Sequence, residues 1–259
     1  TAAMSLSGAV DPPIVPGVLG AGGALWGPFE TEEVRWRGHN PLDLAGNLRG
    51  LGLWLRSGNG EAGGPFPSSP RTDPIEAGTG VMTDRVHARL ERLSIPHVYD
   101  NYGPGHHIWP YWRRGLQQTL PAFMARFRRA PRPPARIAYT SVDPRYSAYG
   151  WTVSLRRRAL EFSTLSRAGR RGFTLSGSGS ASVTTPARYA PGQALSVRVR
   201  GKARTLRANR RGRLRVAVPL GPANARQQYT AGARTRVFTA RVTIAASLPG
   251  GPGRPARSR

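Results

Sequence analysis

The chain has 259 residues, enough for two ordinary domains each with its own core, and carries 39 Lys+Arg against 13 Asp+Glu for a formal net charge of +26. It has no cysteine, which excludes disulfides, thiolate metal sites and a cysteine nucleophile and leaves the redox compartment open. The charge is uneven: residues 1–130 hold 13 Arg against 11 acids, whereas residues 131–259 hold 26 Lys+Arg against 2 acids.

The start, "TAAMSLSGAV", has no Met at position 1 and opens within an apolar stretch, so the chain reads as a fragment whose beginning is missing. No signal peptide is visible and no apolar run reaches transmembrane length. Ala2 to Leu6 is a short strand-like run closed by Ser7-Gly8, and "LGLWLRSGNG" (51–60) is an apolar strand ending in a Gly-Asn-Gly turn. Between Ile75 and Leu93, the spacing of Met82, Val86, Leu90 and Leu93 predicts a helix with one apolar face. The strand-like "PHVYDNYG" follows. Trp112, Leu116, Leu120, Met124 and Phe127 then predict a second amphipathic helix, which has to tolerate Pro121. Strands alternating with helices imply a parallel α/β sheet.

"RRAPRPPAR" (128–136) has three prolines in nine residues and breaks this pattern as a linker. Beyond it the apolar period becomes two. Leu195, Val197 and Val199, then Leu214, Val216 and Val218, then Phe238, Ala240, Val242 and Ile244 alternate with polar and often basic residues. Turn signals such as "APGQ", "NRRGR" and "GPANA" separate these strands, and a β-sandwich is the economical solution. The low-complexity "SGSGSAS" (176–182) reads as a strand-edge loop, and "PGGPGRPARSR" at the end as disordered. The resulting division is an α/β part over 1–128, a Pro/Arg linker over 129–136, a basic β domain over 137–246 and a tail over 247–259.

Lys202 is the only lysine, and arginine in company with so much Ala, Gly and Pro is consistent with a GC-rich coding bias. Such a surface still attracts polyanions by counterion release. Its arginines, however, are scattered along alternating strands rather than gathered in a recognition helix, so specific nucleic-acid binding is not the expectation.

The chemistry concentrates in "HHIWPYW" (106–112). His107 follows a predicted strand and the turn "GPG" and precedes a predicted helix, the location where open α/β sheets build their active sites. A histidine wedged among aromatics to fill space is the competing reading, and His106 is the neighbouring candidate. A general-base histidine needs an acid to fix its tautomer and a nucleophile to deprotonate. Glu76, Asp73 and Glu61 are the candidate acids. "DPIE" also makes Asp73 an N-cap, Pro74 the N1 residue and Glu76 the N3 partner of a capping box, which would explain Glu76 without catalysis. No serine has Gly at both minus two and plus two, as a nucleophile elbow requires; Ser5, Ser7 and Ser178 come nearest. His39, His87 and His97 show no ligand spacing with carboxylates, so neither a metal nor another cofactor is expected.

Four segments together resemble a known family. "GPGHHIWPYWRRGL" is similar to the catalytic-histidine segment of the α/β-hydrolase esterases related to the mycobacterial mycolyltransferases (the fibronectin-binding secreted antigens) and to esterase D, where an N-G-T-H-S-W-x-Y-W-like run is typical. "LGLWLRSGNGEAGG", "LWGPFETEEVRWRGHNPLDLAGNLRG" and "AMSLSGAVDP" resemble, respectively, that family's strand ending in a G-N-G turn, its W-G-P…W…N-P segment and the strand after its elbow helix. The matches keep their order over residues 1 to about 128. The resemblance implies the carboxyl-terminal portion of an α/β-hydrolase fold, chain order Ser, acid, His, and a serine and oxyanion hole lying before Thr1. It implies His107 as base and Glu76 as acid, with Trp109, Tyr111 and Trp112 as an aromatic wall. His106 and Ile108 depart from the family, which usually has a small residue and a serine at these positions. The second half resembles only the appended β domains of actinobacterial secreted esterases.

Expected from this resemblance is a serine ester hydrolase or acyltransferase, secreted or associated with the cell wall, acting on an acyl ester of a lipid or sugar. The chain itself supplies acid and base without the nucleophile. The alternative is a non-catalytic wall protein whose basic β domain holds acidic polymers.

Overall fold

The computed structural model describes residues 1–14, 24–66 and 69–246; the tail read as disordered, 247–259, lies outside the described residues. Helices and strands are both present, divided between a small parallel sheet with its helices and two antiparallel sheets.

Three parallel strands, β1 (Ala2–Leu6), β2 (Gly52–Ser57) and β3 (Val98–Asn101), lie in the order β1-β2-β3. The connections between them contain α1 (Phe29–Gly38) and α2 (Pro74–Arg92), and α3 (Trp109–Arg128) follows β3. In β2 the inward positions Leu53, Leu55 and Ser57 are buried. Leu53 and Leu55 pack with Val86, Leu90 and Ile95 in the apolar cluster under α2. Asp73 caps α2 by accepting from the backbone N–H groups of Ile75 (2.9 Å) and Glu76 (3.2 Å), and Pro74 occupies the first turn, where its missing N–H costs nothing.

The helix predicted around Pro121 forms, but it does not bury its apolar stripe. Leu116, Leu120, Met124 and Phe127 are 41–48% exposed, and the side of α3 that is buried carries Tyr111, Gly115 and Thr119. The reason is local packing. A Cβ on Gly115 would come within 3.0 Å of Leu6, so the glycine lets the helix lie close to β1. Thr119 meanwhile accepts a hydrogen bond from Arg56 Nε at 3.0 Å. Arg56 also pairs with Asp100 and donates to Gln118, so one side chain of β2 ties β3 to α3.

Residues 130–136 have no regular secondary structure. Beyond them the described residues form ten strands: β4 (Ile137–Ser141), β5 (Arg145–Ala148), β6 (Trp151–Arg156), β7 (Ser163–Gly169), β8 (Gly172–Gly177), β9 (Ser180–Thr184), β10 (Ala194–Val199), β11 (Lys202–Arg207), β12 (Arg215–Pro219) and β13 (Phe238–Ala246). They form a six-stranded sheet, β11-β10-β13-β8-β7-β4, and a four-stranded sheet, β12-β9-β6-β5, with every neighbouring pair antiparallel. Both sheets feed one apolar cluster that includes Trp151, Val153, Leu175, Val183, Val197 and Val242. The period of two read from Leu195, Val197 and Val199 and from Val216 and Val218 corresponds to this buried face, all five being less than 5% exposed. The edge strand β11 (KARTLR) is polar and almost wholly exposed, a composition that discourages pairing with another chain.

"SGSGSAS" is not a strand-edge loop. It contains the end of β8, a tight turn and the start of β9, and there the chain leaves the six-stranded sheet for the four-stranded one. Gly179 makes the turn possible: its φ is +75°, and a Cβ there would lie 2.3 Å from the Arg156 carbonyl oxygen. Of the two acids in the basic half, Glu161 is buried against Arg157 (3.2 Å) and accepts the Ser178 N–H (2.6 Å), anchoring the same crossing. The contacts between the two parts of the chain include Asn47, which donates to the Thr140 carbonyl and accepts the Thr140 N–H, each at 2.8 Å, and Arg37, whose guanidinium lies over the Tyr229 ring.

Leu175 is fully buried in the cluster shared by the two sheets. Leu175→Ala is expected to destabilise the protein by about 2–5 kcal/mol, measured by denaturant unfolding. A loss below about 1 kcal/mol would show that the two sheets do not share one packed core.

Candidate active site

Three successive strands of the parallel sheet end side by side, and just past each end a polar group turns toward the first turn of α2. Ser7 follows β1, Gly58 follows β2 and Tyr102 follows β3. All three donate to the same atom, Glu76 Oε1: Ser7 Oγ at 2.8 Å, the Gly58 N–H at 2.5 Å and Tyr102 OH at 2.7 Å. The other carboxylate oxygen, Oε2, lies 2.9 Å from Nδ1 of His107. Glu76 is completely buried, whereas the His107 side chain retains 25% of its exposure.

The sequence positions these groups by identifiable means. Gly58 has to be glycine, because a Cβ would come within 2.7 Å of the Tyr102 ring and 3.2 Å of Glu76 Oε1. Ser7 sits at φ +51°, a left-handed conformation uncommon outside glycine, which turns its hydroxyl from the strand into the site. Asp73 does two tasks: Oδ1 caps α2, and Oδ2 accepts the His107 backbone N–H at 2.8 Å, pinning the loop that carries the imidazole to the helix that carries its acid. Burial pushes the Asp73 carboxyl up, but the backbone N–H groups of His107, Glu76 and Ile75 outweigh it and hold the group below the usual carboxylate range. Tyr102 is held well above the usual phenol range, chiefly by burial, with the neighbouring Glu76 charge adding to it. It therefore stays a protonated donor to the carboxylate.

Aromatic rings surround the imidazole. Trp112 meets His107 edge to face at a centroid distance of 4.8 Å, and Trp109, 76% exposed, stands against Trp112 at 5.2 Å. Tyr102 stacks on Tyr111 at 5.2 Å, with the Arg114 guanidinium over both rings. Trp109 thus offers an apolar surface to solvent beside the histidine.

Among the candidate acids, the structure brings Glu76 to the His107 imidazole, whereas Asp73 meets only the His107 backbone N–H and Glu61 meets neither. Only half of the expected capping box forms: Asp73 receives the helix N–H groups, but Glu76 does not reach back, and the Asp73 N–H goes to the Gly60 carbonyl at 2.7 Å. Glu61 turns to its own loop, where Asn59 Nδ2 donates to it at 2.8 Å. His106 is buried at 4% exposure. Ser7 and Tyr102 were not among the site residues that sequence reasoning selected. Ser7 was visible there only as a failed elbow serine, and its hydroxyl donates to Oε1 of Glu76, the carboxylate oxygen other than the one that meets His107.

The claim that His87 and His97 lack ligand spacing does not hold. His87 and Glu91 are one helical turn apart on α2, and the turn 93–97 folds His97 back beside them. Sequence spacing within the helix gave a partial signal; the reversal of the chain supplied the rest.

With Nδ1–H donated to a buried carboxylate, the imidazole keeps Nε2 as its basic nitrogen, and Glu76 would stabilise the imidazolium formed when Nε2 takes a proton. Such a pair is able to accept a proton at Nε2 while the ring stays held by the carboxylate. Residues 1–123 match the family model for esterases, which supports an ester hydrolase with an ester as the substrate class. No curated protein and no solved structure matches the chain.

Asp73→Ala is expected to lower stability by about 1–2 kcal/mol near neutral pH through loss of the cap. Because the folded-state carboxyl is held low, its contribution is present above the unfolded value near 3.9 and disappears as pH falls through the folded value. The gap between wild type and variant should therefore close below about pH 4 in pH-dependent unfolding; a gap that persists would contradict the assigned charge interaction.

Proposed function

We propose that the chain supplies the acid and base of a serine ester hydrolase or acyltransferase of the mycolyltransferase and esterase D type, with His107 as general base and Glu76 as its orienting acid. The observation that carries this reading is the 2.9 Å contact between His107 Nδ1 and the fully buried Glu76, at the carboxyl ends of parallel strands. In the reaction, His107 Nε2 takes the proton from a serine hydroxyl as that oxygen attacks the ester carbonyl. The imidazolium then returns the proton to the departing alkoxide, leaving an acyl-serine. Water or a second alcohol, such as a sugar hydroxyl, is deprotonated in the same way and takes the acyl group. Glu76 holds the ring throughout.

The 259 residues contain no G-x-S-x-G, and Ser7 bonds to the acid rather than the base. The nucleophile and oxyanion hole are therefore assigned to sequence outside these residues. The apolar surface of Trp109 and Trp112 beside the histidine favours an acyl chain as the part of the substrate lying there. Secretion or wall association rests on the resemblance to secreted esterases. No helix among the described residues is long and apolar enough to cross a membrane.

The decisive experiment reads the coding DNA immediately upstream of the Thr1 codon and assays the encoded protein on short-chain nitrophenyl esters. An in-frame G-x-S-x-G one helix's length before "TAAMSL" is expected, with His107→Ala and Glu76→Gln each lowering kcat by roughly 10²- to 10⁴-fold. The 259-residue chain alone should leave a fluorophosphonate probe unreacted. Stoichiometric labelling of that chain, or an unimpaired His107→Ala enzyme, would refute the assignment.

A second reading, a non-catalytic binder of acidic wall polymers, is favoured by one observation. An open groove of about 650 Å³ on the six-stranded sheet is lined by Arg136, Arg167, Arg170, Arg171 and Arg241, with no acidic residue among its lining. Retention on heparin should fall steeply with added salt and weaken when Arg170 and Arg171 are both changed to serine. Salt-insensitive retention would rule the polyanion role out.

A further inference from the structure

We propose that His87, Glu91 and His97 form a binding site for one divalent transition-metal ion of the zinc class. It lies apart from the acid and base pair. His87 is eleven residues beyond Glu76 on α2, roughly 16 Å along the helix axis at 1.5 Å per residue. His97 immediately precedes β3, at the amino end of the sheet rather than its carboxyl end.

The ligand atoms already converge. His87 Nδ1 and His97 Nε2 are 2.8 Å apart, Glu91 Oε1 is 3.8 Å from His97 Nε2, and one ligand atom from each of the three residues falls within 4.8 Å of the others. Two imidazole nitrogens at such a distance face each other across a single proton. The tautomer of His97 is determined by its other nitrogen: Nδ1 lies 2.8 Å from the Ile95 carbonyl, which only accepts, so Nδ1 carries the hydrogen. In the neutral ring the lone pair is then on Nε2, directed at His87. Donation of the second ring N–H to a backbone carbonyl is the usual way a metal-binding histidine is oriented.

Other contacts hold the remaining parts in place. The His97 side chain is 2% exposed, so its ring cannot swing away. His87 is stacked on Tyr99 at 4.0 Å with an interplanar angle of 7°, and Tyr99 OH donates to Asp84 on the same helix. Glu91 is 65% exposed and leaves an open side where water completes the coordination. Two nitrogens and one carboxylate oxygen suit zinc, cobalt, nickel or copper; calcium and magnesium prefer all-oxygen shells. For both nitrogens to bind at about 2.0–2.1 Å in a tetrahedral shell, the gap between them has to widen to about 3.3 Å, a shift that the partly exposed His87 ring can make. The metal takes the place of the shared proton and fastens the end of α2 to the start of β3 across the turn 93–97.

The test uses the whole 259-residue chain, stripped with EDTA and titrated with Zn²⁺ against a chromophoric zinc indicator, and in parallel with Co²⁺ followed by its visible absorption. One equivalent of zinc, a tetrahedral-type cobalt band and a raised thermal midpoint are expected, with binding that weakens on acidification as the histidines hold their protons. His87→Gln and Glu91→Gln should each lose affinity by at least about tenfold while keeping the metal-free circular dichroism spectrum. His107→Ala should bind zinc as the wild type does. The site is refuted by folded wild-type protein that takes up no stoichiometric zinc, by unweakened binding in both the His87 and Glu91 variants, or by loss of binding in His107→Ala.

Discussion

The buried carboxylate of Glu76 is the point at which the amino-terminal part of the molecule is tied together. A carboxylate removed from water is costly unless its oxygens are occupied by donors, and here the donors come from the ends of all three parallel strands and from the histidine loop. Satisfying that one charge therefore fixes where β1, β2 and β3 end relative to α2. The same requirement explains the absence of a side chain at Gly58 and the left-handed turn at Ser7, both of which bring a donor up to Oε1.

Because the charge sits at the helix start, Asp73 becomes as important as Glu76. One carboxylate holds the imidazole by its side chain and the other holds it by its backbone, so His107 is oriented from two directions. The ring stands roughly perpendicular to Trp112 and keeps part of its surface open to solvent. Such an arrangement holds the imidazole rigidly while keeping it reachable. Ser7 and Tyr102 belong to it as donors to the Glu76 carboxylate.

The basic half is built on another principle. Two antiparallel sheets share one apolar cluster, and the charge excess is carried by the outward positions of the alternating strands, such as Arg198, Arg215 and Arg241. With only two acids, one of them consumed by the buried contact with Arg157, this surface has almost nothing to neutralise it internally. Its electrostatic field is thus directed outward, toward whatever anions surround the protein. The double hydrogen bond between Asn47 and Thr140 attaches that surface to the part carrying His107.

Local pattern was enough to make the period-two strands Leu195–Val199 and Phe238–Ile244, the helix capped by Asp73, and the helix from Trp109 legible in the sequence, because periodicity and capping are set by neighbours in the chain. His107 and three candidate acids were legible as well, from residue type and placement in predicted loops. What the sequence did not determine is which acid reaches the ring, since Glu61, Asp73 and Glu76 are separated from His107 by 31 to 46 residues and only the closing of β2, α2 and β3 onto one another selects Glu76. It also did not determine which side of α3 would be covered: the apolar stripe from Leu116 to Phe127 suggested one face, and close packing at Gly115 with the Arg56–Thr119 bond chose another. The meeting of His87 and Glu91 with His97 arises likewise from a chain reversal that spacing does not encode. Short-range order is written in adjacent residues, whereas convergence of charged and ligating groups is a property of the tertiary structure, where long-range packing decides which side chains share a site.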